Sequence, residues 1–214
     1  MTTHMIAHPA QMEAGGSAEI LARPIGIVSH PFGINTIMMT PTEREYVITQ
    51  FAQTRDLVKQ TFGGLSAPQL LYRPASGGWS AAENLEHLIV VERRVFAGIE
   101  RLLQQPPDPA KRPAMTDEQI VAIVGKVVEP VKAPPQALPT SQWPPEQLLP
   151  EFEKARQKTS AFAAASDGDL RRRFLPHYLY GDFDCYQWLV LLSAHCRRHC
   201  AQSEQVKASP GFPR

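Results

Sequence analysis

Two histidines near the carboxyl end of the chain, His195 and His199, have a spacing that suits metal coordination. Residues four apart on an α-helix leave the same face, so both imidazoles would point to one side of a helix that contains them. Helical metal sites offer two nitrogen ligands to one ion in this way. The spacing alone is weak evidence, because a pair of core histidines bonded to the backbone satisfies it equally well.

The sequence around this pair predicts a helix from residue 184 to about 207. A projection at about 100° per residue places mostly apolar side chains on the side of His195. These are Trp188, Leu191, Leu192, Cys196 and Val206. Arg197 and Arg198 fall on the opposite side or its flanks. His195 and His199 are therefore predicted to lie within the buried stripe, where a metal ion would provide the partner that a buried imidazole needs.

A third histidine, His87, borders the apolar face of another predicted helix. Taken by itself it is better explained as a half-exposed surface residue. Together with His195 and His199 it would form a three-nitrogen site that keeps a fourth position open for water or substrate. Nitrogen ligands suit zinc, nickel, iron and cobalt, and spacing does not choose among them. We expect one divalent ion, zinc or nickel before iron, cobalt or manganese.

Four long helices with helical apolar spacing would position these residues. They run from Thr42 to about Phe62, from Ser80 to about Leu103, from about Glu146 to Ala165 and from Asp184 to about Lys207. Glu45, Glu83 and Gln187 are predicted to complete capping boxes at three of the amino-terminal ends. No segment alternates as a strand would. The pattern is therefore all-α.

The connection between the second and third helices, residues 105–144, holds nine of the chain's 20 prolines. Only Asp117–Val128 looks helical within it, and loops of this length usually wrap a surface or serve a site. A second connection carries His177, Tyr178 and Tyr180, which either rim a pocket or pack within their loop. We predict a four-helix bundle with a long crossover between helices 2 and 3.

Residues 1–40 show no sustained period, and we expect a poorly ordered leader before a domain at residues 41–209. Lys and Arg number 22 against 21 acidic residues, which disfavours nucleic acid as a partner. No segment reaches the ~18 apolar residues that a membrane span needs. The three cysteines are predicted to be reduced packing residues, so we expect a cytoplasmic protein. A homodimer would suit a bundle of this size.

Four stretches together resemble the DinB-like superfamily, and the resemblance extends over about residues 42–208. They are Trp79–Leu88, His177–Gly181, Trp188–Leu189 and His195–Gln202. The combination of W-S-x-x-E-x-L-E-H-L with H-x-R-R-H-x-x-Q is fairly specific. The chain is most similar to the branch of metal-dependent hydrolases and thiol transferases related to YfiT. The leader and the longer crossover depart from that family's pattern.

The resemblance implies a four-helix bundle with a long crossover and a metal triad at His87, His195 and His199. It implies a metal-dependent hydrolase or thiol S-transferase that acts on a small molecule, such as a low-molecular-weight thiol. A metal ion could activate water or hold a thiol as its thiolate. The alternative is a non-catalytic bundle, either stabilised by metal or used for binding and interaction.

Both reactions would use an acid or base near the metal. Glu83 lies one turn before His87 and is a weak candidate for that role, although the capping box explains the same residue better. Gln202 is a candidate to form a hydrogen bond that orients a metal ligand, or else it is a polar residue at the helix edge. Cys196 and Cys200 project away from His195 and are interpreted as core packing.

Overall fold

The computed structural model describes residues 27–29, 35–126 and 132–214. The leader predicted at residues 1–40 lies mostly outside these ranges. What is described of it is a short antiparallel pair, strands β1 (Ile27–Ser29) and β2 (Asn35–Ile37), and residues 38–40, which lead into the first helix. In the described part of the chain, every helix is too short or too polar to cross a bilayer.

Four long helices form the body of the protein, which confirms the predicted all-α bundle. They are α1 (Pro41–Phe62), α3 (Ala81–Leu103), α5 (Pro145–Ala165) and α6 (Cys185–Lys207). Helix α1 packs against α5 and α6, and α3 packs against the same two helices. Helices α1 and α3 therefore occupy opposite corners of the bundle.

Shorter elements fill the connections between the long helices. Helix α2 (Ala67–Leu71) packs on α3 and α5. The crossover between α3 and α5 contains α4 (Asp117–Val124), which packs on α6, and a single 3₁₀ turn at Pro135–Ala137. Helix α4 ends before the predicted Val128, at Gly125. The long crossover confirms the predicted connection between the second and third helices of the bundle.

Capping boxes begin three of the four long helices, and two of them were predicted correctly. Ser80 with Glu83 begins α3, and Asp184 with Gln187 begins α6. The cap predicted for α1 at Thr42 was wrong by two residues. Thr40 is the N-cap and forms its box with Glu43, because Pro41 has no N–H to satisfy and a ring that already holds helical φ at the first helical position.

The absence of strands was also predicted wrongly. Strands β3 (Phe174–His177) and β4 (Gly181–Asp184) pair as an antiparallel hairpin in the segment expected to be an aromatic loop. Each strand has only four residues, and β3 contains Pro176. Too few residues alternate for the pattern to be seen in the sequence, and a proline argues against a strand. The hairpin joins α5 to α6.

A buried ion pair joins all four long helices at the centre of the core. Arg156 on α5 donates two hydrogen bonds of 2.7 Å to the carboxylate of Glu92 on α3. The same guanidinium donates to Thr54 Oγ1 on α1 at 2.7 Å and lies 3.1 Å from Cys196 Sγ on α6. Both charged side chains are 1% exposed. The guanidinium thus finds partners on each neighbouring helix, as a buried charge requires.

The three cysteines are buried and unpaired, as predicted. Burial raises the pKa of the Cys185 and Cys196 thiols to about 12 and that of Cys200 to about 11. All three are therefore protonated near neutral pH. Thiols in this state pack as small apolar groups and are poor nucleophiles.

A second arginine ties the amino-terminal ends of three helices together. Arg171 forms ion pairs with Glu43 of α1, with Asp117 of α4 at 2.7 Å and with Asp184, the N-cap of α6, at 3.1 Å. Its guanidinium also lies 3.9 Å from the centre of the Tyr186 ring. These contacts fix the crossover helix and the hairpin to the start of α6.

We predict that Glu92→Gln lowers the free energy of unfolding by about 3–5 kcal/mol, because it leaves the Arg156 charge buried without its counter-ion. Urea unfolding followed by circular dichroism measures the change. The control is Glu153→Gln, which removes an exposed ion pair with Lys59 between α5 and α1 and should cost less than about 1 kcal/mol. Equal losses in the two variants would contradict the central role of the buried pair.

Candidate metal centre

Three imidazoles meet between α3 and α6. The Nε2 atom of His195 lies 3.2 Å from Nε2 of His87 and 3.0 Å from Nε2 of His199. Their candidate ligand atoms all lie within 4.8 Å of one another. His87 and His199 are buried, whereas His195 is partly exposed. The structure therefore brings together the three histidines that the sequence singled out, with His195 on the accessible side.

The tautomer of His87 follows from its contact with the crossover. Its Nδ1 lies 2.6 Å from the carbonyl oxygen of Ala137. A carbonyl oxygen only accepts hydrogen bonds, so Nδ1 carries the proton and donates. The Nε2 atom of a neutral His87 consequently presents a lone pair to the other two histidines.

Asn84 orients His199 in the same way. Its Oδ1 lies 2.9 Å from Nδ1 of His199, and its Nδ2 donates to the Ser80 carbonyl oxygen at 3.1 Å. The Ser80 contact fixes which side of the amide faces His199, so His199 Nδ1 donates to an oxygen. His199 Nε2 therefore also presents a lone pair to the centre of the cluster.

The convergence of two such lone pairs fits a cation. A neutral His195 can direct at most one Nε2–H into the cluster, and that hydrogen cannot fully satisfy both His87 and His199. A buried acceptor without a donor costs about 1–3 kcal/mol. Nitrogens that share one tetrahedral zinc at about 2.0–2.1 Å lie about 3.3 Å apart, close to the spacings found here. The three nitrogens, together with the hydrogen bonds that hold the Nδ1 atoms of His87 and His199, thus fit a divalent metal ion.

The environment keeps all three rings neutral. Burial lowers the pKa of His87, although its bond to Ala137 opposes this effect. Burial lowers the pKa of His195 and His199 well below 6.5, and the neighbouring histidines and Arg198 lower both further. Metal ligands of this type must be unprotonated. The cluster meets that condition near neutral pH.

The crossover is held against α3 by the residue before His87. The buried carboxylate of Glu86 accepts hydrogen bonds from the backbone N–H groups of Thr140, Ser141 and Gln142 at 3.0, 3.0 and 2.9 Å. Ser141 has a φ of 57°, the only positive value at a non-glycine residue in the described part of the chain. The turn that this conformation allows wraps three donors around one carboxylate and so fixes the position of Ala137.

Aromatic side chains form walls on two sides of the cluster. The ring of Trp79 lies 4.8 Å from that of His87 and 6.0 Å from that of His199, measured between centroids. On the hairpin, His177 stacks with a group of aromatic rings. These are Tyr178, Tyr180 and Phe183, and the His177 ring also lies 5.5 Å from that of Trp188 on α6 in a tilted arrangement. Trp188 lies seven residues before His195 and therefore on the same face of α6, so the hairpin packs on the face that carries His195.

Glu83 is engaged elsewhere. Its carboxylate accepts from the backbone N–H of Ser80 at 2.9 Å and forms an ion pair with Arg73. These contacts belong to the helix cap, and none of them links Glu83 to the histidines. A catalytic role for Glu83 stays a prediction. Gln202, by contrast, interacts with the His199 ring, where a candidate supporting residue was expected.

Sequence reasoning missed three parts of the site. Asn84 lies one turn before His87, and that spacing could have suggested it. The carbonyl of Ala137 leaves no signal in the sequence, because any residue would supply it. Arg198 was placed at the edge or back of α6, but it is only 8% exposed. Its angle was misjudged, because three residues turn a helix by about 300° and so leave Arg198 only about 60° from His195, on the buried side.

We predict that His177 makes the metal-free protein sensitive to acid. Burial lowers its pKa from 6.5 to about 4. Between these values the unfolded chain binds a proton at His177 that the folded chain does not, so folding stability falls as pH decreases from 6.5 to 4. The variant His177→Phe keeps the aromatic stack and should lose less stability over that interval. Thermal unfolding of both proteins with a chelator tests this, and parallel pH profiles would contradict it.

Two proteins of Bacillus subtilis are similar to this chain. Uncharacterized protein YuaE of strain 168 is 25% identical over 146 residues, which are 67% of this chain and 86% of that protein. The structure of YfiT is described as a "probable metal-dependent hydrolase with an unusual four-helix bundle topology". It matches with a TM-score of 0.55 at 15% identity, over 82% of this chain and 91% of YfiT. This likeness shows a common fold.

The sequence pattern of the DinB superfamily matches residues 50–203. That segment contains His87, His195 and His199 together with nearly all of the four-helix body. A match over well more than half of the chain, in agreement with the fold shared with YfiT, establishes that this protein belongs to the DinB superfamily.

Proposed function

We propose that His87, His195 and His199 bind one divalent metal ion and that the protein is a metal-dependent enzyme acting on a small molecule. The observation that carries the proposal is the convergence of three neutral imidazoles, two of which have their Nδ1 atoms engaged so that Nε2 lone pairs face one point. The fold shared with a probable metal-dependent hydrolase supports the same conclusion.

An open coordination position follows from the donor set. Among the residues that the structure describes, no carboxylate or thiol joins the three nitrogens to complete a tetrahedron. Structural zinc sites normally have four protein ligands, whereas catalytic sites keep one position for water or substrate. His195 is the partly exposed ligand, so the free position is expected on its side. This arrangement favours an enzyme over a metal-stabilised bundle.

Two reactions suit such a site, hydrolysis and the transfer of a thiol. A bound ion would supply Lewis acidity, which lowers the pKa of a water or a thiol that it takes up. Glu83 and Glu86, the nearest acids along α3, are occupied by the helix cap and by the crossover. Neither is placed as a general base. Thiol transfer depends least on such a base, so we propose a thiol S-transferase first and a hydrolase second.

The protein's own residues would orient the ligands and enclose the substrate. Ala137 and Asn84 hold the rings of His87 and His199 in one tautomer, as outer contacts do in metal sites. Trp79 covers one side of the cluster, and the hairpin around His177 lies near the other. A small apolar group would find aromatic contacts on both sides.

We predict that the untagged protein binds about one zinc or nickel ion per chain and that His195→Ala/His199→Ala binds almost none. Inductively coupled plasma mass spectrometry measures the metal content. His177→Phe, which removes a histidine outside the triad, is the control and should keep the metal. Wild-type protein that neither contains metal nor takes up added zinc, nickel or cobalt would overturn the proposed function.

We further predict that Asn84→Leu weakens metal binding by about 10–100-fold, because the His199 ring loses the contact that fixes its tautomer. Asn84→Asp keeps an acceptor at that point and should retain most of the affinity. Competition with a chromophoric chelator gives the dissociation constants. Equal affinities for Asn84→Leu and the wild type would show that Asn84 does not support the ligand.

Activity assays separate the proposed reactions. The metal-loaded and metal-free proteins are compared for the consumption of small thiols with electrophilic acceptors and for the hydrolysis of small amides and esters. Metal-dependent loss of thiol supports the transferase, and metal-dependent hydrolysis supports the second candidate. A loaded protein that unfolds at a higher temperature than the apoprotein but catalyses neither reaction would instead favour the metal-stabilised bundle.

A further inference from the structure

Arg198 is a buried cation without a partner among the described residues. Its side chain lies on α6 three residues after His195 and one before His199, and the residue is 8% exposed. Within the described ranges, no hydrogen bond or ion pair engages its guanidinium. Two other arginines differ sharply, since the buried Arg156 pairs with Glu92 and the half-buried Arg171 pairs with three acids. A guanidinium has five donors, and burying its charge unpaired is costly.

The guanidinium of Arg198 is nevertheless not fully enclosed by the described residues. Among the described residues, the polar side-chain atoms that are fully enclosed and lack partners are Ser193 Oγ and Ser203 Oγ. The guanidinium nitrogens of Arg198 do not belong to this group. The residue is 8% exposed, and its charged end keeps part of that exposure. This is the geometry of a binding group rather than of a packing residue.

The guanidinium lies beside the histidine cluster. On a helix, residues three and four apart are neighbours, so Arg198 lies next to His195 on the same face. His195 is the partly exposed histidine of the triad. The charge of Arg198 also opposes the rise in the pKa of Tyr178 in the hairpin turn, so the guanidinium lies near the hairpin as well as near the cluster. A molecule that approaches His195 from solvent would pass this cation.

We propose that Arg198 binds a carboxylate on the small-molecule substrate and thereby selects anionic substrates for the metal centre. This inference rests on the proposed function, because it assumes that the reacting end of the substrate reaches the metal. A guanidinium can hold a carboxylate with two parallel hydrogen bonds, which sets orientation as well as affinity. One end of the substrate is then fixed by Arg198, and the other is directed toward His195.

Two thiols of the same chain length test the selection. Cobalt-loaded protein is titrated with 3-mercaptopropionate and with 3-mercapto-1-propanol, and the thiolate-to-cobalt absorption gives each dissociation constant. The wild type should prefer the carboxylate by at least about tenfold, the minimum expected for a hydrogen-bonded charge pair. Arg198→Met should lose this preference, and Arg198→Lys should keep part of it.

Arg197→Met is the matched control. It removes the same charge from the neighbouring position, where the side chain instead donates to Gln50 and Gln53 of α1. It should keep the preference of the wild type. Metal content is measured for every variant and should not change. A preference that survives in Arg198→Met, or that disappears equally in Arg197→Met, would overturn the inference while leaving the proposed function in place.

A metal-free measurement separates the two proposals. If the wild type binds no metal or its cobalt form takes up no thiol, the Nε–Hε nuclear magnetic resonance signal of Arg198 is followed while propionate is added to the apoprotein. This signal is assigned by its absence in Arg198→Lys. A saturable shift with propionate that 1-propanol does not produce would support the carboxylate site on its own. No shift with millimolar propionate would overturn it.

Discussion

The ion pair between Arg156 and Glu92 is the constraint on which the geometry of the site depends. It connects α5 with α3, and its further contacts reach α1 through Thr54 and α6 through Cys196. Cys196 follows His195 directly, so the same network that holds the bundle also fixes the helix that carries two of the three histidines. Buried charges tolerate little displacement of their partners. The separation of α3 and α6 at the histidine cluster is set accordingly.

The crossover between α3 and α5 fixes the orientation of the His87 imidazole ring. A connection of this length would ordinarily be loose, but Glu86 binds three consecutive backbone N–H groups within it. That attachment brings the Ala137 carbonyl to His87. Two adjacent residues of α3 thus contact the crossover. Glu86 holds it in position, and His87 donates a hydrogen bond to its Ala137 carbonyl oxygen. The crossover is a structural part of the candidate site.

The sequence predicted correctly those features that depend on residues close together in the chain, such as helix caps and helical spacing. Capping boxes at Ser80 and Asp184 identified the starts of α3 and α6, and the four-residue spacing of His195 and His199 placed them on one face. Prediction from the sequence failed where tertiary contacts decide. The hairpin has strands too short to show a period. The Ala137 carbonyl depends on the path of the crossover, which no local pattern encodes.

Three arginines, of which Arg156 and Arg198 are buried and Arg171 is half-buried, show the difference between a charge that stabilises the fold and a charge suited to bind a ligand. Arg156 and Arg171 have carboxylates for partners, so their charges are neutralised within the fold. Arg198 lies beside imidazoles that burial keeps neutral, and none of these can offset its charge. A protein that needed only stability would be better served by an apolar residue at this position. An anionic ligand that pairs with the guanidinium would explain why a charge is buried here. The position of Arg198 next to His195 indicates where that ligand would lie.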